Sequence, residues 1–212
     1  MNSPNSQETA MRPKMTITDF LRARTQFLID PIVNFLARYR LSPDLLTVLG
    51  VVGHFLIAWL IAQGQMQWAA VAMLLIAPLD ALDGALARKL GRLQGGFGAF
   101  LDSTLDRLAE IILFGGFIFY YVQIDRPGML AVAYIAITGS IMVSYARARA
   151  EALGFDCKVG VLSRVERYVV MMVFLVFNRP DVVVIILAIF TYVTVFQRMF
   201  HVWRQARRQS KP

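Results

Sequence analysis

The chain has 212 residues, 57% hydrophobic and 17% charged, with a mean hydropathy of +0.55. A soluble domain carries about a quarter charged residues, and here the charges gather between long apolar stretches, so composition excludes an ordinary soluble domain and fits a polytopic membrane protein. The net charge of +8 would suit nucleic acid, but no zinc-finger, RRM or helix-turn-helix pattern is present, and the excess reads as topogenic Lys and Arg. The single cysteine, Cys157, excludes an internal disulfide and is assigned no function.

Residues 1–15 are polar, include Pro4 and Pro13, and predict a disordered N-terminus. From 16 to 40, Ile17, Phe20, Leu21, Phe27, Leu28, Ile32, Leu36 and Tyr39 recur at helical spacing. This predicts an amphipathic juxtamembrane helix in the membrane interface, kinked or divided at Pro31. The first long apolar run begins near Leu45, after this polar and amphipathic stretch, so no cleavable signal peptide is read.

Six α-helical spans are then predicted, near 44–63, 67–90, 98–122, 128–152, 163–178 and 181–204, within an all-α membrane domain over 41–205 and before a basic tail, 206–212. His54, inside the first, is read as a packed helix residue rather than a ligand. The basic residues test this arrangement: 20 of the 22 fall on one side, and only Arg126 and Arg179 on the other. That asymmetry predicts both termini in the cytoplasm and an even number of spans.

The strongest chemical signal is DALDGALARKLGRLQGGFGAFLDSTLD, residues 80–106. Asp80 and Asp83 are three apart and share one helix face, and Asp102 and Asp106, four apart, share a face of the next. Gly91, Gly95, Gly96 and Gly98 lie between them and allow a turn that brings the two faces together near the cytoplasmic end. Converging carboxylates repel one another and resist burial unless cations compensate them. Hard Mg²⁺ or Mn²⁺ suits an all-oxygen donor set, and Zn²⁺ does not, since no Cys or His joins it. The acids alone leave three readings open: catalysis, local ion pairs with Arg88, Arg92 or Arg107, and a cation transporter or channel.

The full pattern is D-x2-D-G-x2-A-R-x9-G-x3-D-x3-D, with Asp80, Asp83, Gly84, Ala87, Arg88, Gly98, Asp102 and Asp106 in its fixed positions. It resembles the signature of the CDP-alcohol phosphotransferase (phosphatidyltransferase) family. LSPDLLTVLG at 41–50 and SYARARAE at 144–151 extend the resemblance over nearly the whole chain. The resemblance implies that Asp80, Asp83, Asp102 and Asp106 hold two divalent ions, Mg²⁺ or Mn²⁺, and that these hold the diphosphate of a CDP-linked donor, CDP-diacylglycerol. It implies that Asp106 is also the general base: the acceptor hydroxyl loses its proton, attacks the β-phosphorus and displaces CMP. Gly84 would permit close approach of the nucleotide, and Arg88 would contact the donor phosphates. Asp44, Thr47, Asp83, Ala87 and Gly98 complete the donor-binding positions. Gly95 stands where some members carry Ser or Thr. A homodimer is the usual assembly of the family.

The acceptor is indicated by a second set of matches. SYARARAEALG at 144–154, RVER at 164–167 and QRMFHVW at 197–203 resemble phosphatidylinositol phosphate synthases, with Arg147 in place of a lysine and Val165 in place of a proline. There a basic pocket receives a phosphorylated acceptor, and the matching positions are Arg147, Arg167 and Arg198. Inositol phosphate is the expected acceptor and glycerol 3-phosphate the alternative. Otherwise these arginines are topogenic charge.

Overall fold

The computed structural model describes residues 30–39, 41–91 and 96–209, and for 80 and 81 the backbone alone. The expectations for 1–15 and for 16–29 of the juxtamembrane helix lie outside the described residues. Within them the chain is helical, without strands: α1, whose described part runs over 30–38, then α2 Pro43–Ala62, α3 Met66–Lys89, α4 Gly96–Gln123, α5 Pro127–Ala152, α6 Arg164–Val176 and α7 Pro180–Gln209.

Sequence chemistry sets several boundaries. Pro43 and Pro127 begin α2 and α5, where a proline's missing N–H costs nothing. Ser163 stands at the N-cap position of α6, where its hydroxyl donates to the carboxylate of Glu166 three residues on rather than bonding the helix backbone. Pro78 lies inside α3, shortly before the first aspartates, and leaves a carbonyl of the preceding turn without its helical donor.

Four helices, α2, α3, α5 and α7, are long and apolar enough to cross a membrane. The other two predicted spans are helices but differ in kind. α4 has ample length, 28 residues, but Asp102, Asp106, Arg107 and Glu110 all lie within 96–110. α6 has only 13 residues, about 20 Å at 1.5 Å each, against a hydrocarbon core of about 30 Å.

The main core joins Ile57 and Ile61 of α2, Met73 of α3, Phe114 and Phe117 of α4, Leu175 of α6 and Leu187 of α7. Large apolar side chains such as Phe55, Trp59, Leu75, Phe119 and Phe196 face outward, as lipid-facing surface requires. Two glycines set the closest helix approaches. A Cβ at Gly116 would stand 2.5 Å from the Ala58 carbonyl oxygen, and one at Gly139 would collide with Thr191. His54 is buried, with Nδ1 2.7 Å from the Gly50 carbonyl oxygen, as a packed residue should be.

α1 packs through Val33 on a smaller cluster with Leu46, Leu82 and Leu86. Its outer face carries Ile32, Phe35 and Tyr39 beside Asp30, Asn34 and Arg38.

Candidate active site

α2 packs against both α3 and α4, while α3 and α4 have little direct contact among the described residues. α2 thus braces both of the helices that carry the motif aspartates. Thr47 makes that brace polar. Its hydroxyl donates to Oδ2 of Asp83 at 2.7 Å, with the Pro43 carbonyl 3.2 Å away, and Asp83 is buried. A buried carboxylate needs such donors. Ser42 donates to Asp44 at 3.3 Å at the start of the same helix.

Asp106 is held from a different direction. Arg164, in the first turn of α6, places Nη1 2.5 Å from Asp106 Oδ2, and Arg107 lies 3.9 Å from the same oxygen. Asp102 is exposed one turn earlier on α4. Among the described residues no three His, Cys, Asp or Glu side chains form a cluster that could hold a metal ion, and the side chain of Asp80 lies outside the description. The acids that are described fit a hard divalent cation in chemistry, being all oxygen donors, and a guanidinium already stands against Asp106 as a positive charge.

Gly84, Ala87 and Gly98 are half-buried, and Arg88 is exposed. Arg88 makes no ion pair with Asp83. It lines, with Asp30, Val33, Asn34, Ala85 and Lys89, a cavity of about 350 Å³ between α1 and the C-terminal end of α3. A Cβ added at Gly84 would meet only Arg88 Nη1, at an ordinary 3.5 Å. Nothing described in the protein itself requires a glycine there.

The three predicted acceptor arginines lie on neighbouring helices, Arg147 on α5, Arg167 on α6 and Arg198 on α7, and α5 and α6 each pack against α7. Their settings differ. Arg147 is exposed and pairs with Glu151 at 2.8 Å. Arg198 is buried, and donates to the Val159 carbonyl at 2.9 Å and to that of Val143. Arg167 is 1% exposed, with Nε and Nη2 on the two carboxylate oxygens of Glu110. The α5–α6 loop is pinned to α7 by further bonds, Leu162 N–H to Thr194 and Val161 N–H to Gln197. Cys157 is buried in this loop and burial pushes its thiol up, so it stays protonated and inert.

Two residues were missed by the motif reading, Arg164 and Glu110. Both lay within reach of it: Arg164 opens the RVER segment, and Glu110 continues the Asp102–Asp106 spacing by another four residues.

Comparison with known proteins bears directly on this arrangement. Residues 40–201 match the family model described as CDP-alcohol phosphatidyltransferase. The chain is 34% identical over 208 residues to the phosphatidylinositol phosphate synthase of Streptomyces avermitilis, covering 91% of this chain and 85% of that one. It is 37% identical over 193 residues to the archaetidylinositol phosphate synthase of Methanothermobacter thermautotrophicus, covering 84% and 90%. Its fold matches the crystal structure of Mycobacterium tuberculosis phosphatidylinositol phosphate synthase with CDP-DAG bound, at a TM-score of 0.76 and 29% identity over 82% of this chain and 93% of the other. A second structure of that protein, in complex with manganese and citrate, matches at 0.75 and 30%, over 82% and 88%. Four aspartates at motif spacing, an arginine-held Asp106 and a match of this extent lead to one assignment over a cation pathway: the chain belongs to the CDP-alcohol phosphatidyltransferase family.

Proposed function

We propose that this protein transfers the phosphatidyl group of CDP-diacylglycerol to inositol phosphate, giving phosphatidylinositol phosphate and CMP. The observation that carries the reading is the juxtaposition of a carboxylate, Asp106, with Arg164, beside the packed helices α5, α6 and α7 that carry Arg147, Arg167 and Arg198. Arg147 and Arg167 already face Glu151 and Glu110, whereas Arg198 is buried on two neutral carbonyls, and an incoming anion would offset its charge. A phosphorylated alcohol supplies that anion, and its hydroxyl supplies the proton that Asp106 accepts.

Asp80, Asp83, Asp102 and Asp106 would hold divalent ions, two Mg²⁺ or Mn²⁺, which when bound neutralise the donor's diphosphate and the transferring group. Thr47 orients Asp83 through its 2.7 Å hydrogen bond. Arg88, with Asp44, Ala87 and Gly98 around the same helix ends, contacts the donor phosphates and nucleotide. Asp106 takes the acceptor's proton, the acceptor oxygen bonds to the β-phosphorus, and the bond from that phosphorus to the CMP oxygen breaks. Exposed Arg147 meets the acceptor's phosphate, with Arg167 and Arg198 as buried charge beneath it.

The six helices α2 to α7 form one membrane domain, 41–205, with both termini and the site in the cytoplasm, as the 20-to-2 split of basic residues supports. α4 crosses with its charged half in the site, α6 completes the sixth span, and the working unit is a homodimer.

The test is CMP release by purified protein in lipid, with CDP-diacylglycerol, Mg²⁺ or Mn²⁺, and each acceptor separately. Release with inositol phosphate is expected. Release with glycerol 3-phosphate alone would overturn the acceptor but keep the transfer.

Gly84 gives a prediction in which stability and activity move in opposite directions. Glycine inside a helix costs about 1 kcal/mol relative to alanine, and the space at 84 is open in the protein. Gly84→Ala is therefore expected to hold or raise the melting temperature while raising the KM for CDP-diacylglycerol about tenfold, the cost of about 1.4 kcal/mol of lost binding. A donor KM equal to wild type would show that no ligand approaches this position.

A further inference from the structure

Glu110 lies outside the aspartate motif, one turn beyond Asp106 on α4. It is 9% exposed, and both of its carboxylate oxygens are taken by Arg167, Oε1 by Nε at 2.7 Å and Oε2 by Nη2 at 3.1 Å. The third edge of that guanidinium is also used: Nη1 donates to the Leu162 carbonyl at 3.2 Å, immediately before the Ser163 cap of α6. A forked pair of this kind fixes direction as well as distance.

Alongside runs a second contact, Arg164 to Asp106 at 2.5 Å. Asp106 and Glu110 are four apart on α4, and Arg164 and Arg167 three apart in the first turn of α6, so each couple shares a helix face. The two helices have little backbone contact with each other among the described residues. Two parallel carboxylate–guanidinium rungs therefore connect them, an inner one that is buried and bidentate, and an outer one where Arg164 is 41% exposed.

We propose that Glu110 is a positioning residue for the transfer reaction: through Arg167 it fixes the first turn of α6 against α4, and so sets Arg164 beside Asp106. The outer rung alone could not do this. A half-exposed arginine has many rotamers, and it reaches Asp106 reproducibly only if its backbone is already placed. The inner rung supplies that placement at a distance of one helical turn.

The inference rests on the reading of Asp106 as the base, so Asp106→Asn is measured alongside. The assay is CMP release by the full-length protein in lipid vesicles, with saturating acceptor and varied CDP-diacylglycerol. Glu110→Gln keeps the shape and removes the charge. It is expected to lower kcat about 100-fold, the order of loss for an ångström-scale misplacement, and to leave the donor KM within about twofold. Leu113→Ala, which empties a core position on the same helix, is the control for stability: it should melt earlier yet keep the wild-type kcat per folded molecule. Adding Arg164→Ala to Glu110→Gln should cost nothing more, because its contact is already lost. Glu110→Asp keeps the charge on a shorter arm, and serves if the glutamine variant does not fold; it is expected to lose about tenfold in kcat.

A kcat for Glu110→Gln that only follows the folded fraction, as in Leu113→Ala, would overturn the proposal. So would a wild-type kcat in Glu110→Asp, or losses from Glu110→Gln and Arg164→Ala that multiply. Wild-type turnover by Asp106→Asn would instead sink the underlying assignment.

Discussion

Asp106→Asn is expected to cut CMP release by a factor of about 10²–10⁴, the range supplied by a positioned general base. The substitution keeps the shape of the side chain and one oxygen that Arg164 can still donate to. It removes the negative charge that accepts the acceptor's proton and that would help to hold a divalent ion. Its effect on folding should be small: asparagine keeps the volume, and Arg164 and Arg107 beside Asp106 are partly exposed, where such pairs are worth about 0–1 kcal/mol. The measurement is turnover at saturating donor and acceptor together with a melting curve in the same detergent or lipid. A normal melting curve with lost turnover assigns the effect to chemistry. Normal turnover would remove Asp106 from the transfer step and leave the carboxylates as donor-holding groups alone.

How this site could be read from sequence depends on how far apart its members lie. The aspartates are local, at spacings of three and four, so helical periodicity alone puts Asp80 with Asp83 and Asp102 with Asp106. The helix starts at Pro43 and Pro127 are local as well, because proline announces its own position. The partners of these residues are not local. Thr47 finds Asp83 across 36 residues, and Arg167 finds Glu110 across 57. No periodicity links such positions. The role of α2 as the brace for both α3 and α4 was equally hidden, since it depends on close approaches such as Gly116 against Ala58. The span count shows the same limit from another side. Hydropathy marks both 98–122 and 163–178 as apolar stretches, but it cannot show that α4 carries the acids of the site or that α6 is a helix of only 13 residues.

Arg167→Met should be the most destabilising single change near the site, by about 3–5 kcal/mol, because it leaves the Glu110 carboxylate buried without its counter-ion. The melting temperature in detergent reports it. The arginine itself is not the source of that stability. Desolvating two charges costs roughly what their attraction returns, so removing both should be far milder than removing one. Glu110→Met/Arg167→Met is therefore expected to melt near the wild type, with methionine filling the vacated volume. Its turnover is then the informative quantity. If the pair only filled a hole in the bundle, the double variant should regain activity together with stability. If the pair aims Arg164 at Asp106, apolar packing cannot replace it, because two flexible thioethers fix no direction. A stable and inactive double variant is the expected result, and it would separate what the pair contributes to folding from what it contributes to the geometry of transfer. A stable and fully active one would reduce Glu110 and Arg167 to core residues that happen to be charged.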